Sequence, residues 1–167
     1  MKACLLLPSL LLICFSCTSP KSDQLSGQLT LRIQNEVQAI ADTIWSKWEQ
    51  LDPEAALQYY ADSLDWTSIN SRGSLCDMAA YRRLASEFKK SATSYKWITS
   101  SRDFKVLSDE IVVCNWIGKD EVTWKSGEKA TCDPHAYTLV FRKSSGRWQL
   151  TYSHDSGVWS TQNAGKE

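Results

Sequence analysis

Apolar residues Leu31, Ile33, Val37, Ile40, Ile44, Trp45 and Trp48 recur at helical spacing, which predicts an amphipathic helix of about five turns. Gln50-Leu51-Asp52-Pro53 ends the stripe. Asp52 offers the short side-chain acceptor of an N-cap and Pro53 the fixed φ of a first helical residue, so a second, short helix is expected over 53–60. The period then changes to two. Leu64, Trp66 and Ser68 alternate with Asp65 and Thr67, which predicts a strand over 61–69, and Asn70-Ser71-Arg72-Gly73 reads as a turn. Asp77 caps a third helix that carries Tyr81, Leu84, Ala85 and Phe88 on one side and closes on Lys89 and Lys90, charges suited to a C-terminus. From Tyr95 onward the chain is strand-like, with breaks at Ser100-Ser101, Ser108-Asp109, Ser126-Gly127 and Ser145-Gly146. Early helices followed by a run of antiparallel strands predict an α+β domain, its helices packed on one face of a strongly curved, mostly antiparallel sheet.

Tight turns at Ser126-Gly127 and Ser145-Gly146 fix a register for the last three strands. Lys125 then faces Glu128 and Ser144 faces Arg147. Regular pairing aligns Trp116, Tyr137 and His154 in one row, provided no bulge intervenes. The face of that row also carries Val112, Cys114, His135, Leu139, Phe141, Trp148, Leu150 and Tyr152, an aromatic surface suited to the concave side under the helices. The opposite face, with Val113, Asn115, Ile117, Thr138, Val140 and Thr151, is mild enough to form a homodimer interface.

The first residues follow a separate pattern. Lys2 precedes the apolar run 5–15, interrupted only by Pro8 and Ser9 and too short for a permanent span, and Ser16-Cys17 and a polar stretch follow. This resembles a bacterial lipoprotein signal. The resemblance implies removal of residues 1–16, acylation of Cys17, a tether over 17–30, a domain over 31–160 and a tail over 161–167, on the membrane of the cell envelope. With 19 basic and 19 acidic residues there is no basic excess to draw the chain to nucleic acid or to an anionic membrane surface, so the membrane is met through the lipid alone. Of six cysteines, Cys76, Cys114 and Cys132 would remain unmodified in the mature chain, an odd number that cannot pair completely. Regular register sets Cys114 opposite Leu139 and Cys132 opposite Glu121, too far apart to bridge.

Three passages resemble the nuclear-transport-factor-2-like, or SnoaL-like, cone-fold family. They are Leu51-Asp52-Pro53-Glu54-Ala55-Ala56 leading into Tyr59-Tyr60-Ala61-Asp62; the helix from Asp77; and the closing Val140-Phe141-Arg142-Lys143, Gly146-Arg147-Trp148-Gln149-Leu150 and Ser153-His154-Asp155-Ser156. The resemblance spans 31–159 and implies a cone-shaped α+β barrel with three N-terminal helices. It also makes a dimer common, while leaving activity open, because members include isomerases, cyclases, dehydratases and non-catalytic pockets. Steroid-isomerase members place a carboxylate base on the strand after the second helix and an oxyanion-stabilising Tyr on the first helix. The matching positions here are Ser68 and Ile44, which can do neither task.

Apolar walls with a few convergent polar groups are the usual makeup of a small-molecule pocket. The candidate pocket residues are Trp66, Trp97, Trp116, Tyr137, Tyr152 and His154. The leading expectation is binding of a small, largely apolar molecule, with no cofactor. Two alternatives stand beside it: a lyase, isomerase or hydrolase using a His154–Tyr137 acid–base pair with Asp155, and a non-catalytic interaction module using the polar sheet face. Cys132, Asp133, His135, His154 and Asp155 include metal-ligand types. Cys132 and His135 differ by an odd number, however, so a regular strand turns them to opposite faces, and a second pair is missing; no metal is expected.

Overall fold

The computed structural model describes residues 25–62 and 65–162. The proposed signal and Cys17 lie outside the described residues. Helix α1 spans Gly27–Glu49 and starts earlier than the apolar stripe, because Ser26 caps it by accepting a hydrogen bond from the Leu29 N–H at 3.3 Å. The expected tether is therefore helical from Gly27 onward. Helix α2, Pro53–Ala56, passes into a 3₁₀ turn over Leu57–Tyr59. Asp52 stands at its N-cap but makes no cap bond; with Glu54 it faces the Lys89 ammonium instead, at 3.5 and 2.9 Å.

Strand β1 is shorter than expected, Thr67–Ile69, and pairs with a strand the pattern did not predict, β2, Leu75–Asp77. Helix α3, Met78–Ser91, opens at the expected cap, where Asp77 accepts from the Ala80 N–H at 2.7 Å. Four long strands follow: β3, Ala92–Val106; β4, Ile111–Trp124; β5, Lys129–Ser144; and β6, Arg147–Gln162. The six-stranded sheet runs β2-β1-β6-β5-β4-β3, antiparallel except where β1 lies parallel to β6. The α+β expectation of helices on a mostly antiparallel sheet thus holds. Ile33, Val37, Ala41, Ile44 and Trp45 of α1 are buried in one core cluster with Val112, Cys114, Leu139, Phe141 and Leu150 of the sheet. Polar ties at the margin align the helix: the Trp148 indole donates to Glu36 at 3.0 Å, and Glu49 accepts the Trp97 backbone N–H at 3.0 Å. Arg102 pairs with Asp42 while its guanidinium lies 4.5 Å from the Trp116 ring.

Both chain reversals form, with Gly127 and Gly146 at positive φ, and Ser144 faces Arg147 as expected, but the first loop is one residue longer than predicted: Thr123 faces Lys129, so Trp124 rather than Lys125 stands across from Glu128. Trp116 still faces Tyr137, because an extra residue in β5 offsets the longer loop. Two bulges then change the rest of the register. Val140 faces Tyr152 while Phe141 faces Leu150, so β6 carries one extra residue, Thr151, and everything beyond it slips by one. In β5, His135 faces Gly118 and Gly157, whereas Cys132 faces Asp120 and Trp159. The three steps from Cys132 to His135 therefore oppose two steps on either neighbour. That extra residue brings Cys132 onto the inward face that His135 occupies, correcting the opposite-face expectation, while the longer loop between β4 and β5 sets Cys132 against Asp120 rather than Glu121. The three cysteines of the domain are free and buried.

Candidate functional site

A cavity of about 580 Å³ opens between α1, α3 and the concave face of the sheet. Its walls are mainly aromatic, including Trp45, Trp48, Tyr60, Tyr81, Phe88 and Trp124. Against this apolar lining a polar chain crosses the sheet, one member per strand. Asp120 faces inward by the simple alternation of β4, after Val112, Cys114, Trp116 and Gly118. His135 faces inward by the same alternation that turns Tyr137, Leu139 and Phe141 of β5 inward, and Asp155 because of the β6 bulge, which sets it opposite Tyr137.

The three form a continuous relay. Asp120 Oδ2 is hydrogen-bonded to His135 Nδ1, and His135 Nε2 lies 3.1 Å from Asp155 Oδ2. Asp120 also accepts from the Tyr95 hydroxyl at 2.5 Å and from the Tyr137 hydroxyl at 3.1 Å. Asp155 Oδ2 accepts in addition the Ser71 backbone N–H at 2.9 Å, which joins the relay to the turn between β1 and β2. The side chains of Asp120 and His135 are 1% and 2% exposed and that of Asp155 is 19% exposed, so Asp155 is the end that meets solvent. Gly157 makes room for the imidazole: a Cβ there would come within 2.3 Å of Cys132 Sγ and 3.0 Å of the His135 ring. Gly118 makes room for Trp97 instead, since a Cβ there would come within 2.6 Å of its ring and 2.3 Å of the Ile98 carbonyl.

Burial alone would push His135 down, but the hydrogen bonds and charges of Asp120 and Asp155 outweigh it and raise the imidazole from 6.5 to about 9. Near neutral pH it is an imidazolium between two carboxylates. Burial drives the Tyr95 and Tyr137 phenols well above 10, helped by Asp120, so both remain protonated donors. Burial likewise pushes the Cys132 thiol up to about 11, which keeps it from acting as a thiolate near neutral pH.

Of the residues singled out from sequence, Tyr137 and Asp155 line the cavity. His154 does not. It is exposed, faces Thr138 on the outer side of the sheet, and makes no pair with Tyr137, whose hydroxyl belongs to Asp120 instead. Tyr152 follows the same slip and sits opposite Val140. Trp66, Trp97 and Trp116 are core rather than lining, and Trp97 and Trp116 both donate to Thr99 Oγ1 at 2.9 Å. Ser68 lines the cavity, bonded to Ser153 Oγ at 2.9 Å, while Ile44 is fully buried. Among the described residues no group of three or more His, Cys, Asp and Glu is arranged to hold a metal ion.

Asp120, Tyr95 and the role of His135 were not foreseen. Asp120 had a signal: it is the one charged residue in the inward register Val112, Cys114, Trp116, Gly118, Asp120, Val122, Trp124. A carboxylate in that register must be paired or functional.

The fold recurs in known proteins. A candidate scytalone dehydratase of Novosphingobium aromaticivorans matches with a TM-score of 0.72 at 9% identity, over 84% of this chain and 93% of its own. The type 3 hexachlorocyclohexane dehydrochlorinase of Novosphingobium barchaimii matches at 0.69 and 8% identity, over 84% and 97%. A nuclear transport factor 2-like superfamily protein of Salmonella enterica matches at 0.66 and 15% identity, over 83% and 99%. At these identities the likeness establishes the fold alone. No curated protein matches the chain. The model of the SnoaL-like domain matches residues 37–160, which include the whole relay, and the chain belongs to that family.

Proposed function

We propose that the cavity binds a small, largely apolar molecule and that the relay moves a proton on it, in a lyase-type elimination. The observation that carries this reading is the Asp120–His135–Asp155 chain itself. A buried ion pair contributes little to stability compared with a packed apolar core, whereas titratable groups shifted by burial and by one another gather where proton transfer occurs. Asp120, held by two tyrosine hydroxyls, fixes the imidazole orientation through Nδ1. The proton is exchanged with the substrate at the His135 Nε2 and Asp155 Oδ2 end, the end nearest solvent. Elimination is the step shared by a dehydratase and a dehydrochlorinase, chemistries found on this fold.

A base of this kind must first lose its proton. The rate should therefore rise about tenfold per pH unit up to about 9 and level off above it. The test is release of halide or water from a panel of β-halo and β-hydroxy cyclic ketones. His135→Gln should lower any turnover by 10²-fold or more, in keeping with the usual scale of general acid–base catalysis. Binding of the apolar dye N-phenyl-1-naphthylamine should survive that change. Wild type that binds the dye but turns over none of the panel would return the pocket to a carrier role.

We also propose that the protein is exported and held on a membrane of the cell envelope by acyl chains on Cys17, by the pattern of residues 1–17. Cys17→Ala should abolish incorporation of labelled palmitate; incorporation at the wild-type level would refute the anchor.

A further inference from the structure

With the relay internally paired, the polar groups of the cavity divide unevenly. Asp120 uses both carboxylate oxygens and Asp155 Oδ2 accepts twice, while Ser68 and Ser153 satisfy each other. One cationic side chain outside the relay is left over. Arg72 lines the cavity and is also exposed to solvent, which places it at the opening. No carboxylate among the described residues comes within ion-pair distance of it.

The backbone under Arg72 is tightly held. Asn70 Oδ1 accepts the N–H groups of Arg72 and Ser74, each at 3.0 Å, and Gly73, at a φ of 75°, donates to the Asn70 carbonyl at 2.8 Å. Ser71 donates to Asp155, so the carboxylate that ends the relay also sets the turn presenting Arg72. The guanidinium thus starts from a fixed point beside the chemistry and faces an apolar cavity, where a charge-assisted bond is stronger than in water.

We propose that the molecule this pocket accepts is an organic anion: a ring body seated among the aromatic walls, with one carboxylate-type group at the opening bound by Arg72. This rests on the reading that the cavity takes up a small, largely apolar molecule, and it adds the charge of the substrate class.

The test compares two compounds of nearly equal shape, 1-naphthoate and 1-naphthamide, followed by quenching of tryptophan fluorescence at pH 7. Wild type should bind the naphthoate about tenfold more tightly, and the margin should shrink as salt is raised. Arg72→Gln should bring the ratio close to one while leaving naphthamide affinity unchanged, which also serves as the check that the variant is folded. Equal binding of the two by wild type, or a preference that survives Arg72→Gln, would overturn the proposal while leaving the pocket in place. In that event the guanidinium only offsets the excess negative charge of the relay. Binding of neither compound would overturn both this inference and the small-molecule reading beneath it.

Discussion

His135 carries the energetics of the site in a single side chain. Its pKa in the folded protein, about 9 against an ordinary 6.5, corresponds to about 3 kcal/mol of differential stabilisation of the charged form. The folded value lies above the unfolded one, so this contribution is complete below about pH 6.5 and is lost as the pH rises through about 9. Urea denaturation should thus show wild type losing on the order of 3 kcal/mol between pH 6 and pH 10. His135→Gln should lose much less over the same interval, because nothing at that position then titrates. Parallel pH profiles for the two proteins would show that the imidazole is not held charged between Asp120 and Asp155. The expected site residue, His154, is exposed on the outer side of the sheet.

At the level of the elements, what could be read from sequence is divided by a physical line. The stripe of α1, the Asp77 cap of α3 and the turn at Ser145-Gly146 are local features, and all of them are present. The facing of Trp116 and Tyr137 is present too, though not for the expected reason: the loop at Ser126-Gly127 is one residue longer than a two-residue turn, and the β5 bulge offsets it. Strand β2 was invisible because three residues in an exposed–buried–exposed pattern carry too little periodicity, and β1 was overextended for the same reason. The site was misplaced by one residue. Thr151 adds a residue to β6 that no turn rule or alternation reveals, and it exchanges His154 for Asp155 beside Tyr137. The row containing His135 carries a signal of its own in the sequence. Turn-based pairing already sets Gly118 opposite His135, and a glycine beside an inward polar residue marks a place where something bulky must fit. The glycine on the other side, Gly157, lies beyond the β6 bulge, where turn-based pairing would have set Ser156 opposite His135.

For the molecule as a whole, the unanswered side is the outer face of the sheet. The helices and the cavity occupy the concave face, whereas the outer face keeps Val113 and Val140 half-buried and leaves Ile98 and Ile117 38% and 41% exposed. Isolated exposed apolar side chains need no explanation, but a run of β-branched residues across adjacent long strands is a surface that a second copy can cover by two-fold symmetry. A stable pairing would have to bury on the order of 1,200 Å² or more in total, an area that four long strands can supply. A homodimer through this face is the expected state. In it Val140→Lys or Ile117→Lys would place an ammonium in a desolvated apolar contact and shift the sedimentation coefficient to that of a monomer. Such a change should leave the relay untouched, since both side chains point away from it, so ligand binding should persist in the monomer. Wild type that sediments as a monomer at high concentration would remove the dimer from the account, and the outer face would then have no partner in a second copy of this chain.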